Sequence, residues 1–143
     1  MPTRTGIAEW TGGILDGKGA LGSGSGALQA TYSFATRFED DPGTNPEELI
    51  AAAHAACFAM ALSGSLGRAG HPPDSIRTEA TIDIEQEDGG YAITGIHLTT
   101  AAVVPDIDDA EFQEIAGATK DSCPVSKALA AVPIDSTATL AAA

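Results

Sequence analysis

The two cysteines of this sequence carry its most specific chemistry. Cys57 lies in the apolar segment AAAHAACFAMAL, and Cys123 follows 66 positions later (123 − 57) in the segment DSCPVSKAL. This separation excludes a CxxC redox motif and half of a zinc knuckle, since both need cysteines a few residues apart. Two cysteines in a reducing compartment are typical of catalytic, redox-active or metal-binding sites, or are simply small buried side chains. For the redox use, one thiol attacks an oxidant and the other resolves the product as a disulfide.

A metal site is the weaker of the functional alternatives. His54 precedes Cys57 by three residues, which places it on a neighbouring face of a helix, but structural zinc needs two further ligands. Nothing in the spacing of His71 and His97 along the sequence indicates that either residue lies near the cysteines. We therefore predict no metal site, and we interpret His54 as an interior imidazole.

Thiol redox catalysis needs a cation beside the reactive sulfur. A free thiol has a pKa of about 8.5, and the cation both favours the thiolate and stabilises the oxygen that leaves the peroxide. Cys57 lies well along a predicted helix, where the helix dipole gives little help, and the sequence offers only seven lysines and arginines. Cys123 precedes Pro124 at a predicted helix N-terminus, so local electrostatics alone rank Cys123 as the more acidic thiol.

The element that positions Cys57 is a long helix predicted from Asn45 to Gly70. Asn45 suits the N-cap, Pro46 the first helical position and Glu48 the third. Residues 49–66 carry no formal charge when His54 is neutral, so we expect a helix that is buried on every face. A run of about 18 residues is also near the length of a membrane span. Its richness in Ala, Ser and Gly favours a core helix instead.

Alternating and turn-rich segments predict the other elements. We expect strands at 5–10, 27–36, 75–86, 91–104 and 134–140, with a hairpin and a mobile loop in the glycine-rich segment after the first strand. One helix is predicted after residues 106–109 with an inward stripe of Phe112, Ile115, Ala116 and Thr119, and a short helix follows Cys123. The order indicates an α+β fold in which antiparallel sheets pack on the central helix.

Composition restricts the partners and the location. With 143 residues and 43% hydrophobic content, the chain suits a single domain over residues 1–143. A net charge of −13 argues against nucleic acid and anionic membrane surfaces as partners. The first ten residues lack the apolar core of a signal peptide, so we expect a cytoplasmic protein.

The segments NPEELIAAAHAACF and SCPVSKAL resemble the OsmC/Ohr family of osmotically inducible and organic-hydroperoxide-resistance proteins. The resemblance covers nearly the whole chain in element order, and the CPVSKAL ending is similar to the OsmC branch. It implies an OsmC-like fold, an intertwined homodimer with two active sites at the interface, and thiol-dependent reduction of organic hydroperoxides without metal or flavin. An external dithiol, of the lipoyl type in the Ohr branch, would restore the thiols.

The resemblance also implies roles for four residues. Cys57 corresponds to the peroxidatic cysteine and Cys123 to the resolving cysteine, which overrules the ranking from helix position. Arg37 corresponds to the family's arginine and Glu47 to its glutamate. Ten residues of helix rise about 15 Å, too far for Glu47 to contact Cys57 along one straight helix. We therefore expect Glu47 to orient Arg37, and the pair to reach the thiol from the partner subunit or through a sharp bend.

Two other classes of function fit the same residues. A redox sensor or binding module would form the same disulfide without sustained turnover, and an inert structural protein would not react. The apolar residues near Cys57, such as Phe58 and Met60, are the candidates for lining a pocket that prefers organic hydroperoxides to hydrogen peroxide.

Overall fold

The computed structural model describes residues 1–142, which form two compact units, one of residues 1–49 and one that begins at Ile50. The α+β class is confirmed, and the prediction of a single domain stays a prediction. The elements in chain order are β1 (Gly6–Thr11), β2 (Lys18–Ser23), β3 (Gln29–Tyr32), α1 (Phe34–Phe38), α2 (Pro46–Arg68), β4 (Ser75–Glu87), β5 (Gly90–Val103), α3 (Asp109–Ser122), α4 (Pro124–Ala128) and β6 (Ile134–Leu140).

The first unit is an antiparallel sheet of β1, β2 and β3 followed by α1. The predicted strand at 27–36 is wrong at its end, because Ser33 stops the strand and caps a helix. The Thr36 N–H donates to Ser33 Oγ at 3.2 Å, and the Ser33 N–H donates to Thr36 Oγ1 at 2.9 Å. Arg37 therefore lies on a short helix, for which we made no prediction from the sequence.

The ends of α2 match the prediction. The Glu48 N–H donates to Asn45 Oδ1 at 2.8 Å, which makes Asn45 the N-cap. At the other end Gly70 has a φ of +89°, a left-handed conformation that glycine adopts at little cost, and the His71 N–H donates to the Leu66 carbonyl at 2.8 Å.

Only one stripe of α2 is buried in the single chain, which differs from the predicted burial on every face. The stripe repeats every four residues, as one face of a helix does, and each member is 0% exposed: His54, Phe58, Leu62 and Leu66. Met60 lies off this stripe and is 81% exposed. By length and composition α2 also meets the criteria for a membrane span, a test that the core helix of a soluble protein passes equally.

The second unit packs α2, a sheet and α3 around one apolar core. In the sheet, β4 pairs antiparallel with β5, and β6 pairs parallel with β5, so the predicted antiparallel order fails for this last pair. The reason is the crossover through α3 and α4, which returns the chain to the starting end of β5. The core joins the α2 stripe to side chains of β5 and α3, among them Leu98, Ala102, Phe112 and Ala116.

The crossover itself fixes the second cysteine. Asp108 caps α3, since its side chain accepts the Glu111 N–H at 2.8 Å, and Phe112, Ala116 and Thr119 face inward as predicted. Cys123 ends α3 and is the N-cap of α4. Pro124 at the first position of α4 cannot continue the hydrogen bonding of α3, so Cys123 is held at a sharp junction.

Candidate active site

The fold brings the two cysteines together although 66 residues separate them. Cys57 Sγ and Cys123 Sγ lie 2.9 Å apart, and both thiols are free. Cys57 immediately precedes the buried Phe58 on α2 and is half-buried, whereas Cys123 is 1% exposed. A disulfide bond is about 2.05 Å long, so the sulfur atoms need to approach by only about 0.9 Å to be joined.

The two thiols differ in acidity. Burial raises the pKa of Cys57 above that of an ordinary thiol, and the hydrogen bond with Cys123 raises it further. Burial acts in the same direction on Cys123, but hydrogen bonding with Cys57, Ser126 and Val125 lowers its pKa below the ordinary value. When one of the two thiols loses its proton, the negative charge is therefore more stable on Cys123 than on Cys57 within the second unit, as the helix position of Cys123 predicts.

A buried imidazole and a buried hydroxyl lie beside the sulfur pair. His54 Nε2 is 2.7 Å from Ser126 Oγ, His54 is 0% exposed and Ser126 is 4% exposed. Burial lowers the pKa of His54, which keeps the imidazole neutral. Ser126 was not among the predicted site residues, although the sequence contains a signal: Ser126 follows Cys123 by three residues, just as His54 precedes Cys57 by three.

Arg37 and Glu47 form an ion pair in the first unit. Arg37 Nε lies 3.1 Å from both carboxylate oxygens of Glu47, and Nη2 lies 2.6 Å from Oε1. The Glu47 side chain is 10% exposed and that of Arg37 is 38% exposed. Hydrogen bonding to Glu47 raises the pKa of Arg37, although partial burial opposes the shift. The structure contains the expected pairing of Glu47 with Arg37, while the roles of both residues and the approach of this pair to Cys57 stay predictions.

An apolar cavity of 170 Å³ lies beside Arg37 within the first unit. Its aromatic and aliphatic lining comes from β1, β3, α1 and the loop after β1, and consists of Trp10, Ile14, Tyr32, Phe34 and Phe38. From the sequence we instead expected Phe58 and Met60 to line the pocket. The prediction for Phe58 is wrong, because this side chain is 0% exposed and packs in the core of the second unit.

The other two histidines contact acidic residues. His71 Nε2 is 3.3 Å from Glu111 Oε2, and His97 Nδ1 contacts Asp135 Oδ1. In residues 1–142, no three or more of the His, Cys, Asp and Glu side chains are grouped so that they could hold a metal ion.

Comparison with known proteins places these features in a family. The family model described as OsmC-like protein matches residues 38–137. Peroxiredoxin OsmC of Escherichia coli strain K12 is 51% identical over 129 residues, 90% of each chain.

Crystal structures of two organic hydroperoxide resistance proteins have a similar fold. OhrB of Bacillus subtilis is 29% identical, with a TM-score of 0.70 over 96% of this chain and 98% of that chain. The protein of Elizabethkingia anophelis is 26% identical, with a TM-score of 0.75 over 99% of both chains. These similarities confirm the predicted OsmC-like fold. The chain therefore belongs to the family of OsmC-like proteins.

Proposed function

We propose that this protein reduces organic hydroperoxides to alcohols through a sulfenic acid on Cys57 and a Cys57–Cys123 disulfide. Its family and its 51% identity to a peroxiredoxin make it a cysteine-based peroxidase of peroxide defence. The observation that carries the finer proposal is the 2.9 Å separation of the two sulfur atoms. That distance lets an oxidised Cys57 be resolved within the same chain.

In the first step the Cys57 thiolate attacks the terminal oxygen of the hydroperoxide. An S–O bond forms and the O–O bond breaks, so Cys57 becomes a sulfenic acid and the alkoxide takes up a proton to leave as the alcohol. The side chain proposed to stabilise the departing alkoxide is Arg37, because a guanidinium keeps its charge at every physiological pH.

In the second step Cys123 attacks the sulfenic sulfur. The S–S bond forms, the S–O bond breaks, and the hydroxyl leaves as water with one proton. An external dithiol then reduces the disulfide and is itself oxidised. A lipoyl-type dithiol is the class to test first, since the resemblance associates such dithiols with the Ohr branch.

Assigning the attack to Cys57 needs a cation that outweighs the local preference for a thiolate on Cys123. We infer that Arg37 and Glu47 of the partner subunit supply it in a homodimer. The Glu47 carboxylate accepts from the guanidinium of Arg37 and so fixes its orientation. Arg37 beside Cys57 would lower the pKa of Cys57 and draw the shared charge to that sulfur.

Exposed apolar side chains in each unit support the homodimer. In the first unit Ile7 is 64% exposed, Leu15 is 75% exposed and Leu28 is 59% exposed. In the second unit Met60 is 81% exposed, on a face of α2 that is otherwise rich in alanine. A second copy of the chain would cover these side chains and remove their apolar surface from water.

The cavity beside Arg37 supports an organic substrate. Its lining of aromatic and aliphatic side chains suits an alkyl or aryl group, while the guanidinium at its edge suits the peroxide oxygens. Hydrogen peroxide has no group that would occupy this volume, so the cavity favours organic hydroperoxides.

Steady-state kinetics test the proposed function. With a lipoyl-type dithiol as reductant, the wild type should consume cumene hydroperoxide with sustained turnover and with a higher kcat/KM than for hydrogen peroxide. The Cys57→Ser variant should not turn over. One equivalent of peroxide consumed without further turnover by any dithiol would instead indicate a sensor. Equal kcat/KM values for the two peroxides would contradict the substrate preference.

A further inference from the structure

His54 and Ser126 are buried polar residues to which the proposed peroxidase cycle gives no role. They hydrogen-bond to each other at 2.7 Å, yet Nδ1 of His54 is buried and has no hydrogen-bond partner within residues 1–142. A buried polar atom without a partner costs free energy, so it is usually tied to a function. The cysteine pair next to them provides one.

We propose that His54 and Ser126 form a hydrogen-bond chain that prepares Cys123 as the attacking thiolate of the disulfide-forming step. In this hydrogen-bond chain Ser126 acts on the sulfur of Cys123, and His54 is a positioning residue that acts through Ser126. The inference rests on the proposed function and deepens it. Its geometric basis is that two helices, α2 and α4, carry both pairs: His54 with Ser126, and Cys57 with the N-cap residue Cys123.

The number of protons available fixes the direction of each hydrogen bond. Ser126 is the third residue of α4, whose N-cap is Cys123, so its side chain lies on the same helical turn as the sulfur. The Ser126 hydroxyl has one proton, and the proposed hydrogen-bond chain directs it to the sulfur, in agreement with the lowered pKa of Cys123. Ser126 Oγ then has to accept a proton from His54, which places the imidazole proton on Nε2 and leaves Nδ1 bare.

The unpartnered Nδ1 of His54 agrees with this tautomer. Buried acceptors without a partner are less rare in proteins than buried N–H groups without one. The opposite tautomer would leave an N–H in the core with nothing to receive it. It would also take the Ser126 proton toward His54 and away from Cys123.

The hydrogen-bond chain of His54 and Ser126 acts on one step of the cycle. When Cys123 attacks the Cys57 sulfenic acid, its sulfur lone pair forms the S–S bond, and the S–O electron pair leaves on the hydroxyl, which becomes water with one proton. Hydrogen bonding to the Cys123 sulfur increases the thiolate available for this attack. It does not contact the peroxide, so oxidation of Cys57 should be independent of it.

Single-turnover kinetics without a reductant separate the two steps. Reduced protein is mixed with one equivalent of cumene hydroperoxide and quenched with a 1,3-dione that traps sulfenic acid and a reagent that alkylates thiols. Ser126→Ala and His54→Leu should slow disulfide formation about tenfold, the effect of one hydrogen bond to a charged group, while the rate of sulfenic acid formation stays at the wild-type value.

Conservative variants and a matched control distinguish this role from packing. Ser126→Thr keeps a hydroxyl, and the Nε2 of His54→Gln can replace that of the imidazole, so both should restore most of the rate. Thr100→Val removes another buried hydroxyl, one that pairs with Thr78 at 3.0 Å in the sheet, and should leave both steps unchanged. Unchanged disulfide formation in Ser126→Ala and His54→Leu, or an equal loss in both steps, would overturn the proposal.

Titration of Cys123 provides a test that needs no peroxide. In the Cys57→Ser background, the ultraviolet absorbance of the thiolate should show the pKa of Cys123 rising by about one unit when Ser126→Ala is added. No rise would overturn the hydrogen-bond chain even where the kinetic variants fold poorly. If the wild type forms neither sulfenic acid nor disulfide, the peroxidase cycle itself is overturned. If the wild type completes the cycle and the variants do so at the same rate, only the hydrogen-bond chain is overturned.

Discussion

At the scale of single residues, the ion pair of Arg37 and Glu47 depends on shape as well as charge. The guanidinium presents Nε and Nη2 to one carboxylate, an arrangement that a lysine ammonium cannot reproduce. The family resemblance pointed to both residues, Glu47 through the Asn-Pro-Glu motif and Arg37 through its position before Cys57, but nothing in the sequence indicated that Arg37 would lie on a helix. The local hydrogen bonds between Ser33 and Thr36 stabilise that helix. The alternating residues before it favour a strand, so the sequence pattern alone does not reveal where the strand ends.

Arg37→Lys tests the importance of this geometry. The charge remains but the two-point contact with Glu47 is lost, so we expect kcat/KM for cumene hydroperoxide to fall about 10- to 100-fold, with a smaller fall for Glu47→Gln. Arg77→Lys is the matched control. The Arg77 side chain is 81% exposed and forms an ion pair with the exposed Glu79. Wild-type kcat/KM in Arg37→Lys would show that a point charge is sufficient.

His54 makes stability depend on pH. Burial lowers its pKa in the folded state, so the unfolded chain binds the proton first as the pH falls. The contribution of His54 to stability is therefore complete above the unfolded pKa of about 6.5 and declines as the pH drops below that value. Urea denaturation of the wild type and His54→Gln from neutral to acidic pH should show a difference in the free energy of unfolding that changes through this range. Two parallel curves would contradict a buried neutral imidazole.

At the scale of elements, local signals predicted the ends of α2 and the long hairpin of β4 and β5 correctly. Capping by Asn45 and Asp108 and the turn at Asp88 and Gly89 act over a few residues, so a single sequence contains them. The parallel pairing of β6 with β5 depends on where the crossover returns the chain, which no local pattern records. The proximity of Ser126 to His54 has the same origin, since α2 and α4 meet only in the folded chain.

Asn45 is predicted to stabilise the start of α2 in two ways. Its Oδ1 accepts the Glu48 N–H, and its Nδ2 donates to the Thr36 carbonyl at 3.1 Å. Asn45→Ala should lower the free energy of unfolding by about 1 kcal/mol or more, whereas Asn45→Asp, which keeps the cap and loses the donor, should lower it less. Thermal and urea denaturation measure both. Equal losses in the two variants would assign the whole effect to the bond with Thr36.

At the scale of the whole molecule, the single chain leaves most of α2 outside its core. The sequence predicted a helix with no polar face, and the chain buries one stripe of it and leaves Met60 exposed. The proposed homodimer would account for both observations, because a second copy would cover this face. If Arg37 of the partner reaches Cys57 as proposed, the homodimer is needed for catalysis as well as for stability.

Met60→Asp should therefore abolish both the dimer and the peroxidase activity. A carboxylate at the centre of an apolar interface is costly to bury, so sedimentation should show a monomer and kcat/KM should fall with it. Ala110→Asp adds the same charge at an exposed position in the first turn of α3, where the helix dipole favours it, and serves as the control. A fully active monomer of Met60→Asp would contradict a shared site.

Mixing two inactive variants tests which subunit provides the arginine. If Arg37 acts on Cys57 of the partner, a dimer of one Cys57→Ser chain and one Arg37→Leu chain has one intact site. Random exchange makes half of the dimers mixed, so the mixture should recover about a quarter of wild-type activity. No recovery in a mixture that demonstrably exchanges subunits would place Arg37 and Cys57 of the same chain in one site.

The central claim is that hydroperoxide oxidises Cys57 and that Cys123 resolves the product, against the local preference for a thiolate on Cys123. Peptide mapping by mass spectrometry, after one equivalent of cumene hydroperoxide and a sulfenic acid trap, tests this most directly in the wild type and the two single Cys→Ser variants. We predict a Cys57–Cys123 disulfide in the wild type, trapped sulfenic acid on Cys57 in Cys123→Ser, and unconsumed peroxide in Cys57→Ser. Rapid peroxide consumption by Cys57→Ser, with sulfenic acid on Cys123, would contradict the account.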